Sequence, residues 1–231
     1  TKLVVPSAVR APGLNNTTWK TDLRLFNPCD GPVDVSVKFQ PEGQNNSGAF
    51  LPGFEASLGS LGSRAYPDVI QAIPSLANTE AKGSLLIEWR NGPDDCRPLA
   101  MSKTYNETAF GTFGQFVPAL AARAPLNEEL ILTGLIEDDG HRTNLGFANF
   151  GEEDVVLAIT LYGQGGNPIG NPIYPTVPAL STIQVVRVAS AAGLADGAAD
   201  FSVKVETFGH PVKGYASVID NDTGDPVYVL P

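Results

Sequence analysis

The chain is poor in the residues on which most protein chemistry depends. Among 231 residues there are two histidines, two cysteines, two tryptophans and one methionine. His141 and His210 stand apart, in loops before a strand and before Pro211. No Gly-x-Ser-x-Gly elbow accompanies them, so the nucleophile-base pairing of a hydrolase has no visible carrier. His-x-His and Cys-x-x-Cys spacings are also missing, which argues against a structural zinc site. No catalytic residue is nominated, and the expectation is a non-enzymatic protein.

Positive charge is scarce too. Fifteen Lys and Arg face 25 Asp and Glu, a formal charge of −10. Without a basic surface to displace phosphate counterions, a nucleic-acid or anionic-membrane partner is not expected. Apolar runs of about 18 residues are absent, so no direct membrane span is expected. The sequence begins at Thr1 with no initiator Met, the start that removal of a leader peptide would leave.

Glycine and proline, by contrast, are abundant at 24 and 19. Both interrupt helices and favour turns, which points to short strands joined by tight connections. The clearest strand is Val33-Asp34-Val35-Ser36-Val37-Lys38-Phe39, whose unbroken apolar-polar alternation places one row on a core and the other in water. Further strands are expected at Leu3–Val9, Lys20–Phe26, Gly83–Trp89, Pro98–Tyr105 and Thr112–Val117. The later half repeats the pattern at Leu130–Ile136, Arg142–Ala148, Val155–Tyr162, Ser181–Val188, Asp200–Thr207, Lys213–Ile219 and Val227–Leu230. Short helical turns are expected at Pro67–Ile73 and Ala189–Leu194, and polar exposed loops at Asn15–Thr18 and Gln44–Ser47.

The halves are related. Thr21-Asp22-Leu23-Arg24-Leu25-Phe26-Asn27 aligns with Thr143-Asn144-Leu145-Gly146-Phe147-Ala148-Asn149. In the same register Val33, Val35, Val37 and Phe39 fall opposite Val155, Leu157, Ile159 and Leu161. Ser102–Thr108 is matched with Ser217–Thr223, and Phe116-Val117-Pro118 with Val229-Leu230-Pro231. The Ala-rich stretch 119–129 is the natural boundary. The expected fold class is therefore all-β: two tandem antiparallel β-sandwich domains at 1–122 and 123–231, related by an internal repeat.

Val5-Pro6-Ser7-Ala8, then Thr18-Trp19-Lys20-Thr21-Asp22-Leu23-Arg24-Leu25-Phe26-Asn27-Pro28, later Ser102-Lys103-Thr104-Tyr105-Asn106 and Phe113-Gly114-Gln115-Phe116-Val117-Pro118 form a pattern covering nearly the whole chain. It resembles a family of uncharacterised Ig-like sandwich repeats in secreted bacterial proteins. The resemblance implies export, often to the cell surface, and no established activity. The second copy departs from it, with Phe150 in place of Pro28 and His141 in place of Trp19.

Cys29 follows the first repeat strand and Cys96 lies in the loop 91–97. In an Ig-like arrangement both loops can project from one end, and the exported context favours a disulfide between them. The acidic turn with Asp220, Asp222 and Asp225 resembles a calcium loop. Gly224 stands where a third ligand is expected, and a hairpin turn is the alternative reading. Calcium is the one cofactor considered. Glu137-Asp138-Asp139-Gly140 and Glu152-Glu153-Asp154 read as solvated turns. Sequons occur at Asn15, Asn16, Asn45, Asn106 and Asn221, as chance Asn-rich turns would produce.

The outward rows of the matched strands differ. Copy one shows Asp34, Ser36 and Lys38. Copy two shows Val156, Ala158, Thr160 and Tyr162, with Gly146 and Ala148 on the strand taken as its neighbour. That small, uncharged surface is expected to be a contact face, making the second half the adhesive one. The leading expectation is an extracellular structural protein that associates with itself, or with a cell-surface protein, in a layer, fibre or adhesive assembly. The alternative is a carbohydrate- or protein-binding module using Trp19, Trp89, Tyr105 and Tyr174.

Overall fold

The computed structural model describes residues 2–13, 17–92, 96–108, 111–123 and 129–231. It is built almost entirely of antiparallel strands, and its contacts divide it into two compact units. The first comprises 1–42 and 48–122, the second 43–47 and 123–231. The expected linker over 119–129 and the loop at Asn15–Thr18 lie partly outside the described residues.

In the first unit, β1 (Lys2–Pro12), β6 (Ala81–Arg90), β3 (Val33–Pro41) and β4 (Gly53–Leu58) form one half of the sheet, in the order β4-β3-β6-β1. The other half carries β2 (Thr18–Phe26), β7 (Leu99–Thr108), β8 (Gly111–Pro118) and β5 (Ser63–Tyr66), in the order β5-β2-β7-β8. β1 joins the halves, pairing with β6 through Arg10 and with β2 from Arg10 onward. Its register shifts between Val5 and Ala8, at Pro6, which has no N–H to give to the ladder. A two-residue strand, β9 (Leu120–Ala121), pairs with the start of β1. The alternation of β3 does what it predicts: Val33, Val35, Val37 and Phe39 are buried, facing a core shared with Leu23, Leu25, Leu85 and Ile87.

The second unit has two sheets. One runs β14-β13-β17-β10, from β10 (Glu129–Glu137), β13 (Ala158–Tyr162), β14 (Pro168–Ile173) and β17 (Ala198–Glu206). The other runs β16-β11-β18-β19, from β11 (His141–Asn149), β16 (Ser181–Val185), β18 (Val212–Asp220) and β19 (Pro226–Val229). A short pair, β12 (Val155–Val156) with β15 (Thr176–Val177), stands beside them. One core joins the two sheets, with Leu145 and Phe147 from one meeting Ile159, Leu161, Phe201 and Val203 from the other. With the two-residue strands β9, β12 and β15 set aside, the strands of this unit neighbour one another in the same chain order as those of the first.

Several expectations are corrected. Val155–Tyr162 is broken at Leu157 into β12 and β13. Pro67–Ile73 is a run of turns and the only 3-10 turn described lies at Pro74–Leu76, while α1 covers Val188–Ala191, starting one residue before the expected Ala189–Leu194 and ending three before it. Asn46 is buried rather than exposed: its backbone N–H reaches Ala179 O at 2.9 Å and its Nδ2 reaches Leu180 O at 2.9 Å.

The second half of the sequence alignment is displaced by one residue. Ladder pairing sets Ser102 opposite Leu23 and Ala216 opposite Leu145, so Ser102 corresponds to Ala216, not Ser217. By the same pairing Phe116 corresponds to Tyr228. With a period of two, one residue of slip exchanges the inner face for the outer. Ser102 indeed points inward, its Oγ donating to Val117 O at 2.7 Å.

Candidate functional site

The aligned asparagines form the most specific shared feature. Asn27 directly follows β2, fully buried, with Nδ2 donating to Gly31 O (2.8 Å), Gly59 O (2.9 Å) and Leu58 O (3.3 Å), while Oδ1 accepts the Cys29 N–H at 3.1 Å. Asn149 ends β11, also fully buried, with Nδ2 donating to Glu153 O (2.7 Å), Val177 O and Pro178 O (both 3.2 Å). Its Oδ1 accepts the Gly151 N–H at 2.9 Å. Each amide stitches the end of its strand to the following turn and to a second, distant loop. These groups hold backbone together and leave nothing free for a ligand.

Beside Asn27, Cys29 and Cys96 form a disulfide with Cα atoms 5.8 Å apart. The Trp89 indole N–H donates to Cys96 O at 3.1 Å, fixing the same loop from the sheet side. The bridge closes a separation of 67 residues, worth about 4 kcal/mol in the chain-entropy treatment. The second unit has Gly151 at the position of Cys29 and builds the same turn without a bridge.

The other sequence candidates are dispersed. Asp220 Oδ1 accepts the N–H groups of Asp222 (3.0 Å) and Thr223 (2.7 Å) and the Thr223 hydroxyl (2.8 Å). The Thr223 N–H and hydroxyl bonds hold the Asp220 carboxyl below its usual range. Its oxygen is committed to its own turn, and Thr223 Oγ1 in turn accepts the Asp225 N–H. Among the described residues, no three His, Cys, Asp or Glu side chains converge as a metal would require.

His141 Nδ1 lies 3.0 Å from Asp138 Oδ1, which also accepts the His141 N–H, and this half-exposed pair has no nucleophile bonded to it. Trp19 and Tyr105 lie on β2 and β7, Trp89 lies in the other half of that sheet, and Tyr174 belongs to the second unit. Within the first unit, Trp89 and the strands of Trp19 and Tyr105 lie in different halves of the sheet.

Nor do the six residues of the expected contact face come together. Gly146 and Ala148 lie on β11, whereas Val156, Ala158, Thr160 and Tyr162 lie on β12 and β13, outside that sheet. Gly146 is buried beneath the Tyr215 ring, which occupies the space a Cβ would need, and Tyr215 stacks on Tyr228 at 4.8 Å. Ala148 is fully buried. Val156 alone of the six is strongly exposed.

Sequence reasoning missed Glu137. It was read with Asp138 and Asp139 as a solvated turn, yet it is buried and bridges to α1. Its carboxylate accepts the N–H groups of Ala189 (3.2 Å) and Ser190 (3.0 Å) and the Ser190 hydroxyl at 2.7 Å. Alternation along β10 gave the signal: Leu135 and Glu137 share one face, and that face is the core.

Two surface features remain, both on the first unit. A charged furrow of about 360 Å³ crosses the outer side of β4-β3-β6-β1. Glu88 bridges Lys2 and Lys38 there, at 2.6 Å each. Burial works to raise the Glu88 pKa, but the bonds and charges of the two lysines together hold it below its ordinary value. On the outer side of β5-β2-β7-β8, Leu99, Met101 and Phe116 are 58%, 51% and 54% exposed. Leu99 and Met101 border a mainly apolar hollow of about 300 Å³, and Met101 and Phe116 border a second that is also lined by Asp22, Arg24, Lys103 and Glu107. Farther along, the Lys20 and Lys103 ammoniums lie 5.2 and 5.1 Å from the centre of the Tyr105 ring.

No helix among the described residues is long and apolar enough to cross a membrane. No protein-family model matches the chain, and no curated protein is significantly similar to it.

Proposed function

We propose that this chain is a non-enzymatic, exported structural protein, made of two tandem copies of one Ig-like sandwich, whose role is to associate with itself in an extracellular layer, fibre or adhesive assembly. The observation that carries the reading is the exposed apolar cluster of Leu99, Met101 and Phe116 on an open sheet face. Large apolar side chains grouped on a rigid surface are characteristic of contact sites. In both units buried polar groups serve the backbone: Asn27, Asn149 and Glu137 are all consumed in holding loops and a helix start.

Duplication is supported by the common strand order and by the matching amide networks. A strand order in which β7 joins β2, rather than β6, makes the unit a variant of the Ig arrangement rather than a copy of it. Export is supported by the disulfide, since such bonds persist in oxidising compartments.

The reading is tested by negative-stain electron microscopy and chemical cross-linking of the concentrated full chain. Ordered oligomers or filaments, with cross-linked ladders, are expected. Isolated particles and no ladder would reject it, as would retention of the protein inside its producing cell.

A further inference from the structure

The second unit holds a short segment drawn from the β3-β4 connection, Gly43–Ser47. It lies along the start of β16, the end strand of its sheet. The Gly43 N–H donates to Thr182 O and the Asn46 N–H to Ala179 O, both at 2.9 Å, and Asn46 Nδ2 donates to Leu180 O at 2.9 Å. Along this stretch Ala179, Ser181 and Thr182 are buried.

The first unit builds the same edge and leaves it bare. Asn27 and Asn149 direct their amides to equivalent carbonyls, those of Leu58 and Gly59 in one unit and of Val177 and Pro178 in the other. Two residues farther on, Leu61 and Leu180 both take a positive φ, 54° and 48°. Ser63 then faces Phe26 across the ladder as Thr182 faces Ala148. Yet Ser60, Leu61 and Ser63 are all exposed, Leu61 at 63%. Because the Asn27 N–H goes to Gly62 O, ladder alternation turns the N–H and C=O of Ser63 away from β2. β5 pairs with β2 alone, so this edge is open, and it runs into the hollow beside Leu99 and Met101.

The connection that corresponds to 42–52 is 163–167, between β13 and β14. Both carry Gly-Gln followed by Asn, as Gly43-Gln44-Asn45-Asn46 and as Gly163-Gln164-Gly165-Gly166-Asn167. The second connection is closed on itself, with the Gly163 N–H on Asn167 O at 3.0 Å and the Gly166 N–H on Gly163 O at 2.9 Å, and it is exposed from Gln164 to Asn167. Its Gly165 N–H and Asn167 side-chain amide donate to nothing among the described residues.

Resting on the self-association proposed above, we infer that the β13-β14 turn of a second copy seats on the bare edge at Ser60–Ser63, repeating between molecules the contact that Gly43–Ser47 makes inside the second unit. The Gly165 N–H takes the place of Gly43 and meets Ser63 O, and the Asn167 amide takes the place of Asn46 and meets Leu61 O. Main-chain bonds to an unpaired strand edge supply the attraction. Because edge and turn are different parts of the chain, the contact is heterologous and each copy retains one free edge and one free turn. Such contacts propagate into open-ended assemblies unless the rotation closes a ring.

The test places Ser63→Cys and Gly165→Cys in separate full-length chains, mixed and mildly oxidised at concentrations where the original chain associates. Both positions are exposed, and Gly165 has room for a Cβ. Disulfide-linked heterodimers are expected to exceed either homodimer at least about tenfold, since only the heterologous pair is brought within bonding distance. A chain carrying both changes is expected to give a ladder beyond the dimer on a non-reducing gel. In sedimentation equilibrium Ser63→Lys and Asn167→Ala should each weaken association at least about fivefold, with urea midpoints verifying that folding is retained. If the original chain associates but only homodimers or no cross-links form, this pairing is wrong while self-association stands. If the original chain is monomeric throughout, both fall.

Discussion

Replacing Asn149 should expose how much the second unit depends on a single amide. Its side chain satisfies the Gly151 N–H and approaches the carbonyls of Glu153, Val177 and Pro178 at 2.7 to 3.2 Å, in a fully buried site. Asn149→Ala removes every one of these bonds. A buried backbone group left unpaired costs about 1–3 kcal/mol, and because the two amide hydrogens satisfy two of the three carbonyls at a time, the N–H and two carbonyls amount to about 3–5 kcal/mol after partial relaxation. Asn149→Asp keeps the shape but turns the donor into an acceptor facing three carbonyls. A carboxylate there is disfavoured, so its folded-state pKa must rise above the unfolded value of about 3.9. A raised folded-state pKa makes the stability of that variant greatest below the unfolded pKa and lost as pH rises through the folded one. Urea unfolding of the full chain at pH 4 and pH 7 measures both effects. The reasoning is refuted if Asn149→Ala loses less than about 1 kcal/mol, or if Asn149→Asp is no less stable at pH 7 than at pH 4 relative to the parent.

Reducing the Cys29–Cys96 bridge, or replacing both residues by Ser, should lower the stability of the first unit by about 4 kcal/mol, read from the urea midpoint with and without reductant. Glu137→Ala should release the start of α1, with a loss of about 2–4 kcal/mol and faster amide exchange at Ala189 and Ser190, while Glu137→Gln keeps part of the bonding. Gly146→Ala places a methyl where the Tyr215 ring lies, and a loss of about 1–3 kcal/mol is expected by thermal unfolding. Glu88 has a lowered folded-state pKa, so its contribution is present above the unfolded value and lost as pH falls through the folded one. The urea-midpoint difference between the parent and Glu88→Gln should therefore narrow as pH drops below about 4.

How much of this was legible in the sequence depends on the range of the interaction. The β3 alternation and the Thr21–Asn27 match with Thr143–Asn149 are local patterns, and the structure reproduces their inward rows. β4, β5 and β14 were missed. Each lies at the end of its sheet order or pairs on one side only, and β4 and β14 contain Gly or Pro that weaken a strand signal. The one-residue slip at Ser217 arose because two serines were matched by identity, whereas the ladder is set by which face is buried. Assembly of Gly146 with Val156 and Ala158 assumed that β11 neighboured β12 and β13, a question of sheet order that no single strand encodes. Glu137 looked like part of an acidic turn because its partners, Ala189 and Ser190, lie more than fifty residues away. Pairing of Cys29 with Cys96 was within reach because only two cysteines exist.

The account rests on self-association, and sedimentation velocity of the unmodified full chain over a hundredfold range of concentration tests it most directly. It predicts a weight-average mass that climbs above the 24.3 kDa of one chain, without a plateau at a closed dimer. A single species of 24.3 kDa at every concentration would contradict it.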